Sequence, residues 1–121
     1  MSRSATHDGT AKYAKRFSGN AAEGHFREAQ GLMLSSIGIG TYLGKPDDKT
    51  DQSYAAAIAA AVESGINVID AAINYRFQRS ERSIGAAIQE LKRKGYEREE
   101  FVLCTKGGYL TPDGEMPADP N

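Results

Sequence analysis

Residues 65–75 read GINVIDAAINY, and the choice of fold rests on them. Gly65 can end a helix, because glycine takes the left-handed conformation without a Cβ clash. Residues 66–69 are a short β-type run closed by Asp70, and Tyr75 follows five residues later. A second apolar run, 101–105, ends on Lys106. An acid, a phenol and an amine thus stand just beyond the ends of two expected strands. If those strands are parallel neighbours, the three groups converge on one rim of the sheet.

The flanking segments favour that arrangement. Residues 51–64 predict a helix, with Thr50 or Asp51 as its cap and Tyr54, Ile58, Ala61 and Val62 on one face. Residues 71–79 read as a loop. A second helix is expected from about Ser80, with Glu81 in its positive first turn and Ile84, Ala87, Ile88 and Leu91 as its buried stripe. Lys92, Arg93 and Lys94 suit its negative end, and Gly95 closes it. Arg79 and Arg82 are expected to mark solvated helix faces. The run 101–105 has the character of a strand covered on both faces, with Cys104 as an inert core residue. Upstream, 34–40 is expected as a first strand and 45–50 as a turn. Strand, helix, strand, helix, strand is the order of an α/β fold with right-handed crossovers and a parallel sheet.

The two ends differ in composition. Residues 1–31 are polar and irregular, with Tyr13, Phe17 and Phe26 able to anchor a hairpin or cap, or else forming a loosely ordered arm. Residues 111–121 carry three of the four prolines and read as a polar tail.

With 15 basic against 16 acidic residues in 121, nothing argues for nucleic acid or an acidic membrane as partner. The N-terminus shows no apolar signal-peptide core, and no run is long enough to span a bilayer. Cys104 is the single cysteine, so a reducing compartment and a cytoplasmic address are expected. No metal site is indicated.

The segments GIGTYLG at 38–44, GINVIDAAINY at 65–75, RSERSIGAAI at 79–88 and VLCTKGGY at 102–109, taken in this order, resemble the N-terminal part of the aldo-keto reductases. That family is a (β/α)8 TIM barrel of NADP(H)-dependent carbonyl reductases. The resemblance covers roughly residues 32–110 and implies the first three strands of an incomplete barrel, a complete one needing about 250 residues. Of the family's Asp, Tyr, Lys and His tetrad, it implies Asp70, Tyr75 and Lys106. The histidine has no counterpart, since His7 and His25 both lie upstream of the matching region. The phosphate-binding segments near the seventh and eighth strands are missing too. Gly40 and Thr41 match residues near the nicotinamide, so Gly40, Thr41 and Asp70 are the implied cofactor contacts. Arg76 stands where a glycine often follows the catalytic tyrosine, so the loop there is expected to run differently.

Hydride reduction of a carbonyl builds negative charge on oxygen, which a donor must neutralise. A free tyrosine holds its proton with a pKa of about 10, and a nearby ammonium eases its release. The resemblance thus implies Tyr75 as general acid, Lys106 as its tuner, Asp70 as the counter-ion of Lys106, NADPH as cofactor and a small carbonyl compound as substrate. The isolated chain is expected to be inactive. Two other readings stay open. Gly38, Gly40 and Gly44 approximate a dinucleotide fingerprint of the Rossmann type, with Asp70 as ribose acid. A non-catalytic half-barrel with open strand edges would instead bind a partner chain, such as the remainder of the barrel.

Overall fold

The computed structural model describes residues 4–72, 75–76 and 78–105. Two short sheets and three helices occupy them. Helix α1 spans His7–Lys15, strands β1 and β2 span Phe26–Ala29 and Leu32–Ser35, and β3 is Ile39–Gly40. Helix α2 spans Asp48–Glu63, β4 Val68–Asp70, α3 Arg79–Arg93 and β5 Val102–Cys104, with a 3-10 turn at Arg98–Glu100 before β5.

Strands β3, β4 and β5 form a parallel sheet in that order, with Ile39 opposite Ile69 and Ile69 opposite Leu103. Helices α2 and α3 are its crossovers. Ile58, Ala59 and Val62 from α2 are buried together with Ile84, Ala87, Ile88 and Leu91 from α3, against Ile69 and Phe101. Gly65, at φ 108°, turns the chain out of α2, and the Ile66 amide then bonds back to the Ala61 carbonyl at 3.0 Å. The described residues are therefore an α/β unit with a three-stranded parallel sheet, and they close no barrel.

The expected first strand over 34–40 is two strands. β2 pairs antiparallel with β1 as a hairpin, and only β3 joins the parallel sheet. The break lies at Ser35, whose amide bonds to Asn67 Oδ1 at 2.9 Å while its hydroxyl donates to the Ile37 carbonyl at 2.7 Å. Asn67 is fully buried, and its amide group also donates to the Met33 and Glu100 carbonyls. One side chain thus joins the hairpin to the start of β4 and of β5.

Helix α1 has no counterpart in the sequence reading. Thr6 caps it by accepting from the Gly9 amide at 2.9 Å. Gly9 lies so close to Glu99 that a Cβ there would come within 2.4 Å of its carbonyl oxygen, so the helix rests directly on the 3-10 turn. Tyr13, also fully buried, packs among Phe17, Phe26, Tyr96 and Phe101. Its hydroxyl donates to the Val62 carbonyl at 2.5 Å, and burial pushes that phenol well above its ordinary pKa. Arg16 forms a fork with buried Glu100 at 2.7 and 3.0 Å. Helix α1 and the hairpin therefore gather around Asn67 and Glu100, which precede β4 and β5, the end of the sheet opposite Asp70.

Three further expectations need correction. Helix α2 begins at Asp48, and its cap is Asp47, which accepts from the Thr50 amide at 2.8 Å. Neither Thr50 nor Asp51 serves as the cap, because the turn at Pro46 ends early enough for the first acid after it to do so. Strand β5 is half-buried to exposed rather than covered on both faces, and Cys104 is exposed. The reason is topological: β5 lies at the edge of the described sheet. Arg79 also does not lie on a solvated helix face, since it pairs with Asp48 and Asp51 at 3.2 and 2.6 Å. The tail at 111–121 and Lys106 lie outside the described residues.

Candidate active site

The C-terminal ends of the parallel strands carry the residues of interest. Gly40 on β3 is the register partner of Asp70 on β4, and Asp70 is the partner of Cys104 on β5. The rim is held by hydrogen bonds that cross between elements. Thr41, fully buried, donates its hydroxyl to the Asp70 carbonyl at 2.7 Å. Ser80, on the first turn of α3, donates to the Thr41 carbonyl at 2.5 Å. The Ala71 amide donates to the Cys104 carbonyl at 2.7 Å. Thr105, the residue before Lys106, donates to Glu81 at 2.5 Å, which gives that acid a definite partner beyond its place in the helix dipole.

Asp70 is half-buried at the strand end. Tyr75 lies in a turn whose amide bonds to the Ala72 carbonyl at 3.1 Å and whose carbonyl accepts from the Ser80 amide at 3.4 Å. Its ring meets that of Tyr42 edge-on, with centroids 4.9 Å apart. Tyr42 and Leu43 are 62% and 75% exposed, so this side of the rim faces outward with apolar surface. Among the described residues, a Cβ added at Gly40 would meet nothing within 4 Å. Gly40, Thr41 and Asp70 thus sit together, and Tyr75 stands on the turn beyond them.

Behind the rim lies a network that sequence reading misses. Arg76 follows Tyr75 at a left-handed φ of 50°, and its side chain is 1% exposed. Its Nε and Nη2 donate to the Lys45 carbonyl at 3.1 and 2.9 Å, and Nη2 also meets Asp51 at 2.5 Å. The guanidinium lies 4.8 Å from the centroid of Tyr54. Tyr54 in turn bonds the Leu43 carbonyl. The other oxygen of Asp51 accepts from Arg79, and the hydrogen bonds this guanidinium donates, first to Asp51 and then to Asp48, hold its pKa above its ordinary value. Only the oddity of an arginine after the tyrosine hints at this network, because its partners lie 25 to 31 residues away in sequence.

The helix after the glycine run starts at Asp48, with residues 45–47 intervening. Its N-terminus is capped by Asp47 rather than opening from the glycine amides, so the dinucleotide-fingerprint arrangement is not formed. Among the described residues, no helix is long and apolar enough to cross a membrane, and no cluster of three or more potential ligands could hold a metal ion.

Compared with known proteins, the chain matches the aldo/keto reductase family over residues 36–120. It is 37% identical over 82 residues to the aldo-keto reductase YhdN of Bacillus subtilis (strain 168). That overlap takes in 63% of this chain and 23% of the relative, so the chain corresponds to less than a quarter of the relative's length.

Proposed function

The chain belongs to the aldo/keto reductase family, and on that footing we propose that its rim is the acid-donor part of an NADPH-dependent carbonyl reductase. The observation that carries this reading is the register of β3 and β4. Gly40 and Asp70 stand side by side at the C-terminal ends of parallel strands, and Tyr75 occupies the turn directly beyond. In a (β/α)8 barrel that face is where chemistry is done.

NADPH, when bound, supplies a hydride to the carbonyl carbon. Gly40, Thr41 and Asp70 would hold its nicotinamide end. Tyr75 gives its proton to the carbonyl oxygen as negative charge builds there. Lys106 eases that release through its positive charge, and Asp70 holds the ammonium in place. The substrate is a small molecule with an aldehyde or ketone group. On this reading the family's histidine and phosphate-binding segments complete the site, and the isolated segment is inactive without them. A cytoplasmic reductase with a closed TIM barrel is the whole of which this segment is part.

In a barrel carrying this segment, Tyr75→Phe is expected to cut kcat by about 10²-fold or more, since general acid–base catalysis contributes that much. NADPH affinity should be unchanged. Retained turnover would overturn Tyr75 as the acid.

A further inference from the structure

We propose that Arg76, gripped by Asp51, is a positioning residue that fixes the ring of Tyr75 on the rim. The role depends on reading Tyr75 as the proton donor, but the contacts that support it do not.

Arg76 holds a backbone conformation that suits glycine, with φ at 50°. Bulkier residues keep such a conformation only where the surroundings over-determine it. Here they do. The guanidinium reaches the Lys45 carbonyl with two of its nitrogens and Asp51 with one of them, and it lies over the Tyr54 ring. Asp51 simultaneously binds Arg79 at 2.6 Å, the first residue of α3. One carboxylate near the start of α2 therefore holds both Arg76 and Arg79. Residues 75 and 76 also supply the carbonyls that accept the Ser80 and Arg79 amides.

The second half of the clamp is the 41–45 loop. Lys45 accepts from Arg76, and Leu43 accepts from Tyr54. Tyr42, between them and buried Thr41, presents its ring edge-on to Tyr75. The turn after β4 and the loop after β3 are thus tied together through a buried arginine immediately next to the phenol. A glycine at this position would fit the same φ with less strain but would supply none of these ties. The arginine makes the rim rigid from within the chain.

The test is Arg76→Gly in the full 121-residue chain, with NMR of ring-labelled tyrosine as readout. If Arg76 positions the phenol, the Tyr42–Tyr75 ring NOE falls at least about twofold as the ring is released, whereas the buried Tyr13 signal stays in place. In the Arg76→Gly background, Asp51→Asn then lowers the NOE less than it does with Arg76 present, because the carboxylate acts on that ring mainly through Arg76 and only secondarily through Arg79. If Arg76 were only a strained structural residue, Arg76→Gly would leave the NOE intact and raise thermal stability. That result overturns the proposal, as does an equal effect of Asp51→Asn with and without Arg76. Should Arg76→Gly also disturb Tyr13, Arg76→Lys decides. It keeps the charge but lacks the planar fork, so positioning predicts a weakened NOE and an unchanged NOE refutes it. None of these readouts depends on turnover. Failure of Tyr75 as the acid would show in the Tyr75→Phe assay with the clamp intact, and failure of the clamp would show here whatever the role of Tyr75.

Discussion

Tyr75 and Lys106 share one task in the proposed chemistry, since the phenol supplies the proton and the ammonium makes its loss easier. Removing the charge while keeping a similar apolar stem separates the two. Lys106→Met in a complete barrel is expected to lower kcat by about 10²-fold, the smaller end of acid–base effects, with NADPH affinity preserved. Steady-state kinetics beside a cofactor titration would check this, and a changed affinity with unchanged kcat would assign Lys106 to binding instead. Asp70 can be read from the sequence as a strand-terminal acid because its own run of apolar residues ends there. Thr41, Ser80, Asn67 and Arg76 cannot be read in the same way. Their roles are hydrogen bonds to backbone atoms 29 to 39 residues distant, and no local pattern encodes such partners.

Helices are more readable than strands, for a physical reason visible in α3. Ile84, Ala87, Ile88 and Leu91 recur at helical spacing, and all four are buried. The stretch LMLSSIGI at 32–39 has no comparable periodicity and no proline, so nothing local announces that it bends. The bend is imposed at Ser35 by Asn67, 32 residues on. The start of α2 is hard to place because the segment DDKTD at 47–51 offers several acceptable caps. Asp47 is the one used. Hydrogen bonds from Thr50 hold its carboxyl below the ordinary carboxylate range, so the folded state favours the ionised form. Its stabilisation is present above the unfolded-state value and is lost as pH falls through the lower folded one. Asp47→Ala should therefore reduce the thermal midpoint by about 4 °C at pH 7, with the difference shrinking as pH drops below about 3.9. Thermal scans at neutral and acid pH measure it, and a difference that persists in acid would mean the cap does not act through its carboxylate.

As a whole, the chain is asymmetric along its strands. One end of the parallel sheet is gathered under α1, the hairpin and the Asn67 and Glu100 side chains, while the other end carries Gly40, Asp70 and the turn with Tyr75. An apolar recess of about 130 Å³ lies beside β5, lined by Ile69, Ala71, Ile84, Leu103 and Cys104 among others. β5 is the edge strand of the described sheet, and this leaves Cys104 exposed although its sequence context reads as core. The parallel order is readable because alternating helices and strands leave few topologies. The α1 cover is not, since a nine-residue polar helix has too short an apolar stripe to stand out. The most direct test of the rim as catalytic is to replace the matching segment of the Bacillus subtilis relative with the stretch of this chain that aligns with it over 82 residues and measure carbonyl-dependent NADPH oxidation. Turnover by the chimera is the expected result. A chimera that folds and binds NADPH yet oxidises none of it with any aldehyde or ketone would contradict the assignment.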